Sequence, residues 1–189
     1  MNPRIGVLSV QGAFIEHKTM LQKLGAEIVD IRKEADLDQP VDALVFPGGE
    51  STAMRRLIAE NGLLEALKSL IGSGVPVLGT CAGMILLSKE VIGGEPLFPT
   101  VDITVRRNAY GRQLSSFIHQ GTYGNETLEM VFIRAPRIER IGQDVTVLSW
   151  IDTTPVAVKE GNIILTAFHP ELSESDAVHR TLIGLINKK

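Results

Sequence analysis

The 189-residue chain contains a single cysteine, Cys81, so it cannot form an internal disulfide or a metal site built from several cysteines. No apolar run approaches the ~20 residues that a membrane-spanning helix requires. The net charge is only −3 and the basic residues are dispersed, which excludes the basic patch of a nucleic-acid-binding protein. We therefore expect no metal ion and no binding to nucleic acids or membranes, and we predict no cofactor.

We also expect no signal peptide in this sequence. The first ten residues lack the apolar stretch and the cleavage site that a signal peptide requires, and they predict a short strand instead. A free thiol suits a reducing compartment, so we expect a cytoplasmic protein. With 44% hydrophobic and 22% charged residues, the chain is expected to form one globular domain over residues 1–189.

Strands and helices alternate in the first half of the chain. Apolar runs predict strands over residues 5–10, 27–31, 43–46 and 75–78. Helices are predicted between them, over residues 14–24, 54–60 and 63–71. This alternation indicates a three-layer α/β fold, in which an open, mostly parallel sheet carries helices on both faces.

The second half of the chain has a different pattern. Short strands are predicted over residues 101–105, 130–133, 145–148, 155–158 and 163–168, with a turn at 160–162 and a final helix over about 175–186. The alternation of apolar and polar residues in 101–105 is typical of an antiparallel strand. We expect a small antiparallel extension inserted before the last core strand and helix.

Cys81 lies in a corner of small residues between a strand and a helix. Gly79 and Gly83 flank it, and a helix-like run follows over residues 85–90. A sharp turn of this kind exposes a nucleophile in hydrolases, and a helix N-terminus favours the thiolate. The alternative is a cysteine that merely packs in the core. The flanking glycines argue against it, because a packed cysteine needs no tight corner.

A nucleophilic thiol needs a base, and the base needs an orienting group. His169 follows the apolar run 163–168, so we expect it at the C-terminal end of a core strand, where active sites of open α/β sheets lie. Glu171 lies two residues further on, on the same face of an extended segment, and Pro170 between them stiffens the pair. Cys81, His169 and Glu171 are therefore predicted to form a catalytic triad.

The other three histidines are predicted to have structural roles. His17 and His179 lie in predicted helices and are expected at the surface. His119 lies in a predicted edge or loop and is expected to be half-buried. We assign none of these three residues to the site.

A glycine pair follows the third predicted strand, at the same sheet edge as Cys81. Backbone N–H groups of Gly48 and Gly49 can approach a ligand closely and could stabilise an oxyanion, and Ser51 or Thr52 could cap the next helix. An ordinary strand-to-helix turn remains the alternative. A phosphate-binding loop is disfavoured, because the Gly-x4-Gly-Lys-Ser/Thr pattern is absent.

Taken together, these motifs resemble a known family. Residues 79–83 (Gly-Thr-Cys-Ala-Gly), 169–171 (His-Pro-Glu) and 47–49 (Pro-Gly-Gly) match the class I, triad-type glutamine amidotransferases, whose fold is flavodoxin-like. The longer string 46–52 (Phe-Pro-Gly-Gly-Glu-Ser-Thr) and the segment 107–113 (Arg-Asn-Ala-Tyr-Gly-Arg-Gln) resemble the glutaminase subunits of pyridoxal 5′-phosphate synthases. Met84 stands where many larger amidotransferases have glutamine, which argues against those relatives.

The resemblance implies hydrolysis of L-glutamine to L-glutamate and ammonia through a cysteinyl thioester. Cys81 would be the nucleophile, His169 the base and Glu171 the orienting group. Ala82 and either Gly48 or Gly49 would supply the oxyanion N–H groups. The resemblance further places L-glutamine against six residues: Gly49, Glu50, Ser51, Arg107, Ile133 and Arg134. Arg112 is a weaker candidate.

The resemblance also implies a partner. Ammonia would pass to a separate (β/α)8-barrel pyridoxal 5′-phosphate synthase subunit in a hetero-oligomer, by a path shielded from water. Gln11 and Gly12 could lie near that interface. Two alternatives stay open: a stand-alone cysteine hydrolase or peptidase on the same fold, and a non-enzymatic subunit that has kept the fold.

Overall fold

The computed structural model describes residues 2–109 and 116–186, and the elements below belong to these ranges. The strands are β1 (Arg4–Leu8), β2 (Glu27–Ile31), β3 (Ala43–Phe46), β4 (Val77–Thr80), β5 (Ser88–Ile92), β6 (Val101–Arg106), β7 (Ser116–Tyr123), β8 (Glu126–Ile133), β9 (Arg137–Ile141), β10 (Thr146–Ile151), β11 (Thr154–Glu160) and β12 (Ile163–Thr166). The α-helices are α1 (Phe14–Lys23), α2 (Ser51–Glu60), α3 (Leu63–Gly72), α4 (Ala82–Leu87) and α5 (Ala177–Ile186). Short 3-10 helices span Glu34–Leu37 and Pro170–Leu172.

Seven strands form the main sheet, in the order β10-β11-β12-β4-β3-β1-β2. The five strands from β12 to β2 run parallel, whereas β10, β11 and β12 pair antiparallel at the other edge. Every residue of β3, β4 and β12 is buried, as expected for central strands covered on both faces. The predicted open, mostly parallel sheet is confirmed, and the order β2-β1-β3-β4-β12 is that of the flavodoxin-like fold.

Helices cover both faces of this sheet, as two consecutive residues of β4 make clear. Gly79 and Thr80 point to opposite faces, because side chains alternate along a strand. Gly79 packs against Leu87 of α4, whereas the Thr80 hydroxyl lies 3.2 Å from Nε2 of His17 on α1. On that second face α5 joins α1 through His179, whose Nε2 lies 2.8 Å from Nδ1 of His17.

The second half of the chain adds two smaller sheets to this core. β5, β6 and β9 form one sheet, in which β6 and β9 are antiparallel, and β7 and β8 form an antiparallel hairpin. The antiparallel extension is thus present, although β5, β7 and β9 are not predicted from the sequence. Among the helices of residues 2–109 and 116–186, none combines the length and apolar character needed to cross a membrane.

The helix that follows the cysteine corner is shorter than its sequence pattern predicts. The prediction extends it to Glu90, but α4 ends at Leu87 and β5 begins at Ser88. Glu90 instead pairs with Thr104 of β6, whose hydroxyl donates to the Glu90 carboxylate at 2.7 Å. Pairing with a strand distant in sequence overrides the local helix preference of this segment.

Candidate active site

The site is built at the carboxyl ends of three neighbouring strands. β4 lies between β3 and β12, and Thr80 and Thr166, the last residues of β4 and β12, are register partners. Cys81 directly follows β4, Gly48 lies just beyond β3, and His169 lies just beyond β12. Parallel pairing therefore brings together the three segments that the sequence analysis selected.

Cys81 occupies the sharp corner that was predicted. Its backbone has φ 47° and ψ −98°, a conformation that costs a non-glycine residue roughly 1–3 kcal/mol. The Cys81 N–H holds the corner by donating to the Thr166 carbonyl at 2.8 Å. Gly83 lets α4 approach β3 closely, because a β-carbon there would lie 2.9 Å from the carbonyl carbon of Phe46. The glycines are thus required by close backbone packing around the thiol.

The three predicted triad residues lie close together in the folded chain. Nδ1 of His169 lies 2.7 Å from Oε1 of Glu171, and both side chains are buried. Residue Cys81 is only 5% exposed, and its Sγ lies 3.8 Å from the carbonyl oxygen of Ile133. The side chain of His169 interacts with both the Cys81 thiol and the Glu171 carboxylate.

The electrostatics of the site favour a charged His169. Burial alone would lower its pKa, but hydrogen bonds and charge interactions with Cys81 and Glu171 outweigh burial and raise the pKa of His169 to about 10. Burial likewise opposes ionisation of Glu171, yet the neighbouring His17 and His169 lower the pKa of that carboxyl. A protonated imidazole beside the sulfur favours the nucleophilic thiolate.

The predicted surface location of His17 and His179 is wrong. Both side chains are fully buried, and His17 Nε2 lies 3.3 Å from Oε2 of Glu171, behind the triad. The helical pattern contains the signal for this burial. His17 lies one turn before the buried Leu21, and His179 lies three residues before the buried Leu182, so each histidine shares the apolar face of its helix.

The glycine pair packs directly against the triad. A β-carbon on Gly48 would overlap the imidazole ring of His169, lying 2.7 Å from its Nδ1. The Gly48 carbonyl accepts from the Ala13 N–H at 3.0 Å. Since a trans peptide points its C=O and its N–H in opposite directions, the Gly49 N–H points away from Ala13. The Glu50 N–H donates to Oε1 of Gln11 at 2.9 Å, which ties this loop to the segment after β1.

A cavity of about 330 Å³ opens beside the thiol. All six residues predicted to bind glutamine line this cavity, together with two members of the predicted triad and three further residues. The lining residues are Gln11, Gly49, Glu50, Ser51, Cys81, Ile85, Arg107, Asn108, Ile133, Arg134 and His169. Ile85 and Asn108 are absent from the sequence-based set; Asn108 adjoins Arg107, and Ile85 lies one helical turn after Cys81.

The side chain that caps the N-terminus of α2 differs from the prediction. Either Ser51 or Thr52 was predicted to cap α2, but the Glu50 carboxylate accepts from the backbone N–H groups of Thr52 at 3.1 Å and Ala53 at 2.7 Å. A side chain that reaches both of these N–H groups satisfies two donors of the first helical turn. Despite burial, which acts in the opposite direction, these bonds lower the pKa of Glu50.

Three charged side chains, those of Glu50, Arg107 and Arg134, line the cavity. Nη2 of Arg107 lies 3.2 Å from Oε1 of Glu50, and both side chains remain partly exposed. Arg134 follows β8 with φ 44°, so it turns out of the strand immediately after Ile133. The cavity thus offers both cationic and anionic groups. Arg112, the weaker candidate, lies outside the described residues.

The described part of the chain contains no group of three His, Cys, Asp or Glu side chains that could hold a metal ion. The cavity itself presents a thiol, an imidazole, a carboxylate, guanidinium groups and backbone amides. This set suits nucleophilic attack on a carbonyl carbon.

Comparison with known proteins adds an independent line of support. Residues 7–187 match the SNO glutamine amidotransferase family. Curated proteins named "Pyridoxal 5′-phosphate synthase subunit PdxT" are similar over almost their full length. The protein from Methanocorpusculum labreanum is 50% identical, with 97% of each chain covered. The protein from Thermosipho africanus is 46% identical, with 98% of this chain and 100% of that protein covered.

Solved structures give a consistent result. A structure described as a glutamine amidotransferase superposes with a TM-score of 0.90 at 39% identity, covering 97% of this chain and 98% of that one. The structure of PurLQS from Thermotoga maritima has a TM-score of 0.69 at 15% identity, covering 99% of this chain and 98% of that one. The latter likeness concerns the fold alone.

Proposed function

This chain belongs to the SNO glutamine amidotransferase family, and from that premise we propose that it hydrolyses L-glutamine and supplies the ammonia to a pyridoxal 5′-phosphate synthase. The observation that carries the proposal is a single cavity in which Cys81 and His169 lie beside Glu50, Arg107 and other groups suited to an amino acid. The close relatives named as subunits of pyridoxal 5′-phosphate synthase support it.

The proposed reaction begins at the sulfur of Cys81. The thiolate attacks the side-chain amide carbon of glutamine and forms a tetrahedral adduct. The protonated His169 gives its proton to the amide nitrogen, the C–N bond breaks, and ammonia leaves a cysteinyl thioester. His169 then removes a proton from water, hydroxide attacks the thioester, and glutamate leaves as the thiolate reforms. Glu171 holds the imidazole at Nδ1, so that Nε2 serves the reacting atoms.

The negative charge of the tetrahedral adduct requires hydrogen-bond donors. We assign this role to the N–H of Ala82, together with that of Gly48 or Gly49. Ala82 is the first residue of α4, so its N–H has no partner within the helix. For the Gly49 N–H, the support is its direction away from Ala13, imposed by the bond from Ala13 to the Gly48 carbonyl.

Recognition of glutamine needs groups for a carboxylate and an ammonium. Arg107 and Arg134 are proposed to pair with the α-carboxylate, and Glu50 with the α-ammonium. Gly49, Ser51 and Ile133 complete the proposed glutamine contacts, since each lines the cavity. Arg107 and Glu50 already pair with one another, which holds both charges in place before the substrate arrives.

The proposed partner is a (β/α)8-barrel subunit in a hetero-oligomer. Free ammonia is protonated in water, so the proposal includes a shielded path from the cavity to the barrel. We further propose that residues 1–189 form one glutaminase domain and that the complex acts in the cytoplasm, where the free thiol of Cys81 stays reduced.

Ammonia release from L-glutamine, measured with and without the barrel subunit, tests this function. The expected result is turnover that increases when the barrel subunit is added. High activity towards peptides or other amides, independent of the barrel subunit, would favour a stand-alone cysteine hydrolase. Absence of glutamine turnover, and of labelling of Cys81 by a glutamine-mimicking electrophile, would favour a non-enzymatic subunit.

A further inference from the structure

A line of buried polar side chains continues beyond the predicted triad to the C-terminal helix. Glu171 presents Oε1 to His169 at 2.7 Å and Oε2 to Nε2 of His17 at 3.3 Å. Nδ1 of His17 lies 2.8 Å from Nε2 of His179. The side chains of His17 and His179 are fully shielded from solvent. Five groups from Cys81 to His179 are therefore arranged in series through the interior.

Within the described part of the chain, Oε2 of Glu171 lacks a hydrogen-bond donor, and His17 can supply one. A buried carboxylate oxygen without a donor is costly, and Oε2 has no hydrogen-bond partner among the described residues. His17 Nε2 faces it at 3.3 Å while also lying 3.2 Å from the Thr80 hydroxyl. The contact is long, as hydrogen bonds of catalytic groups often are before substrate binds.

The surroundings select one arrangement of protons. If His17 carries its proton on Nε2, it donates to Glu171, and its Nδ1 accepts from Nε2–H of His179. The imidazole nitrogen then left unpaired is the acceptor Nδ1 of His179, which has no hydrogen-bond partner among the described residues. In the reverse arrangement His17 carries its proton on Nδ1 and donates to Nε2 of His179. The buried Nδ1–H of His179 would then lack an acceptor, and Nε2 of His17 would turn a lone pair towards the Glu171 carboxylate. Orphaned buried donors are rarer than orphaned acceptors, so the first arrangement is favoured.

Both histidines are neutral in this arrangement. The titratable groups around them are Glu16 on the same helix as His17, Glu171 and His169 beside the site. Burial lowers the pKa of His17, although Glu171 and Glu16 act in the opposite direction. Burial is the largest cause that lowers the pKa of His179, to about 3. A neutral donor can orient the carboxylate without neutralising its charge.

We propose that His17 and His179 are positioning residues of the glutaminase site, in which His179 fixes the tautomer of His17 and His17 donates to Glu171 from Nε2. This inference rests on the proposed function, because its kinetic consequence appears in glutamine hydrolysis. Glu171 is held from both sides, so the imidazole of His169 keeps its orientation towards Cys81.

The first test compares three variants in the complex with the synthase subunit. His17→Ala removes the donor, and we expect kcat to fall roughly 10- to 100-fold with KM for glutamine unchanged. The acid limb of its kcat/KM profile should move to higher pH, because a carboxylate that loses a donor protonates more easily. His17→Gln keeps an N–H near the Nε2 position and should recover most of the lost kcat. His119→Gln, on the β7–β8 hairpin, is the matched control and should behave as the wild type.

The second test needs neither turnover nor a variant that folds. Long-range ¹H–¹⁵N NMR of ¹⁵N-histidine-labelled wild-type protein should find His17 and His179 neutral at pH 7, each with its proton on Nε2. This measurement separates the inference from the proposed function. A protein without glutaminase activity but with this proton pattern would contradict the function and leave the arrangement standing.

Three outcomes would overturn the inference. The first is a His17→Ala variant with wild-type kcat and an unchanged pH profile. The second is an NMR spectrum with the proton of neutral His17 on Nδ1, or with His17 protonated at pH 7. The third is a loss of kcat that is equally large in His17→Ala and His17→Gln, which would indicate a packing role for the ring. If His17→Ala does not fold, the NMR measurement and His17→Gln decide the question.

Discussion

Gly48 and the imidazole of His169 are in direct contact, with no space between them for a methyl group. A β-carbon on Gly48 would lie 2.7 Å from Nδ1 of His169 and closer still to the neighbouring ring carbon. The loop after β3 therefore forms one wall of the slot that holds His169, the proposed catalytic base. Glycine is required there by proximity to a side chain, and the backbone of Gly48 itself lies outside the left-handed region.

Replacement of Gly48 by alanine should therefore impair catalysis more than folding. The new methyl group must displace the ring of His169, and a shift of about 1 Å at a catalytic group costs on the order of 100-fold in rate. We expect kcat for glutamine hydrolysis to fall by about that factor. Gly184→Ala in α5 is the matched control, because a β-carbon there meets open space. It should keep full activity and gain up to ~1 kcal/mol in free energy of unfolding. Equal activity of the two variants would contradict the proposed contact.

Loss of the nucleophile and loss of the orienting group should differ in severity. Cys81→Ala removes the atom that bonds to the substrate, so ammonia release should fall by at least ~10⁴-fold while the circular dichroism spectrum stays unchanged. Glu171→Ala leaves thiol and imidazole in place and should retain more activity. Both rates are measured as ammonia release in the complex. Full turnover by Cys81→Ala would refute the thioester mechanism.

Arg107 should affect binding of glutamine more than the chemical step. Its guanidinium lines the cavity and pairs with the Glu50 carboxylate. Arg107→Met should raise KM for glutamine about tenfold or more, because a charge-assisted hydrogen bond is worth roughly 1.5–3 kcal/mol. Arg106→Met is the control, since Arg106 pairs with Glu139 outside the cavity. An unchanged KM in Arg107→Met would assign this arginine to another task, such as the partner interface.

The stability of the folded chain should decrease in acid because of its buried histidines. Burial lowers the pKa of His179 to about 3, from the ordinary 6.5. Between these values the unfolded chain binds a proton that the folded chain does not, so the free energy of unfolding falls as the pH falls. The contribution of this one residue is up to ~1.4 kcal/mol per pH unit.

Urea unfolding at several pH values between 4 and 7 measures this effect. His179→Gln cannot bind that proton, so its free energy of unfolding should depend less steeply on pH than that of the wild type. His119→Gln provides the comparison for removal of a histidine that is not fully buried. If His179→Gln and the wild type have the same slope, His179 is not held neutral in the folded state.

The prediction from sequence succeeded where local pattern and chemistry coincide. The strands Glu27–Ile31 and Ala43–Phe46 were predicted with the bounds that the structure has, because short apolar runs between glycines and helices have few alternatives. The cysteine corner followed from its two flanking glycines. The prediction failed for β5, which depends on pairing with β6, and for β9, whose charged residues mask its strand pattern.

The two misassigned histidines illustrate the same limit within the site. His17 and His179 are 162 residues apart and meet only because α1 and α5 pack on one face of the sheet. A polar residue on an otherwise apolar helical stripe is either exposed at its margin or paired in the interior. Only the partner decides between the two, and the partner comes from a distant segment.

By itself, the sequence of this chain determined the α/β alternation and the residue types at three strand ends. Each of these depends on local periodicity or on a short motif, which a linear chain contains in full. The tertiary structure decided that Gly48 contacts the ring of His169 and that Glu50 caps α2 while pairing with Arg107. It also decided that two buried histidines lie on the side of Glu171 opposite His169. These relationships arise from contacts between segments far apart in sequence. Such contacts can stabilise the chain only after the sheet has brought those segments together.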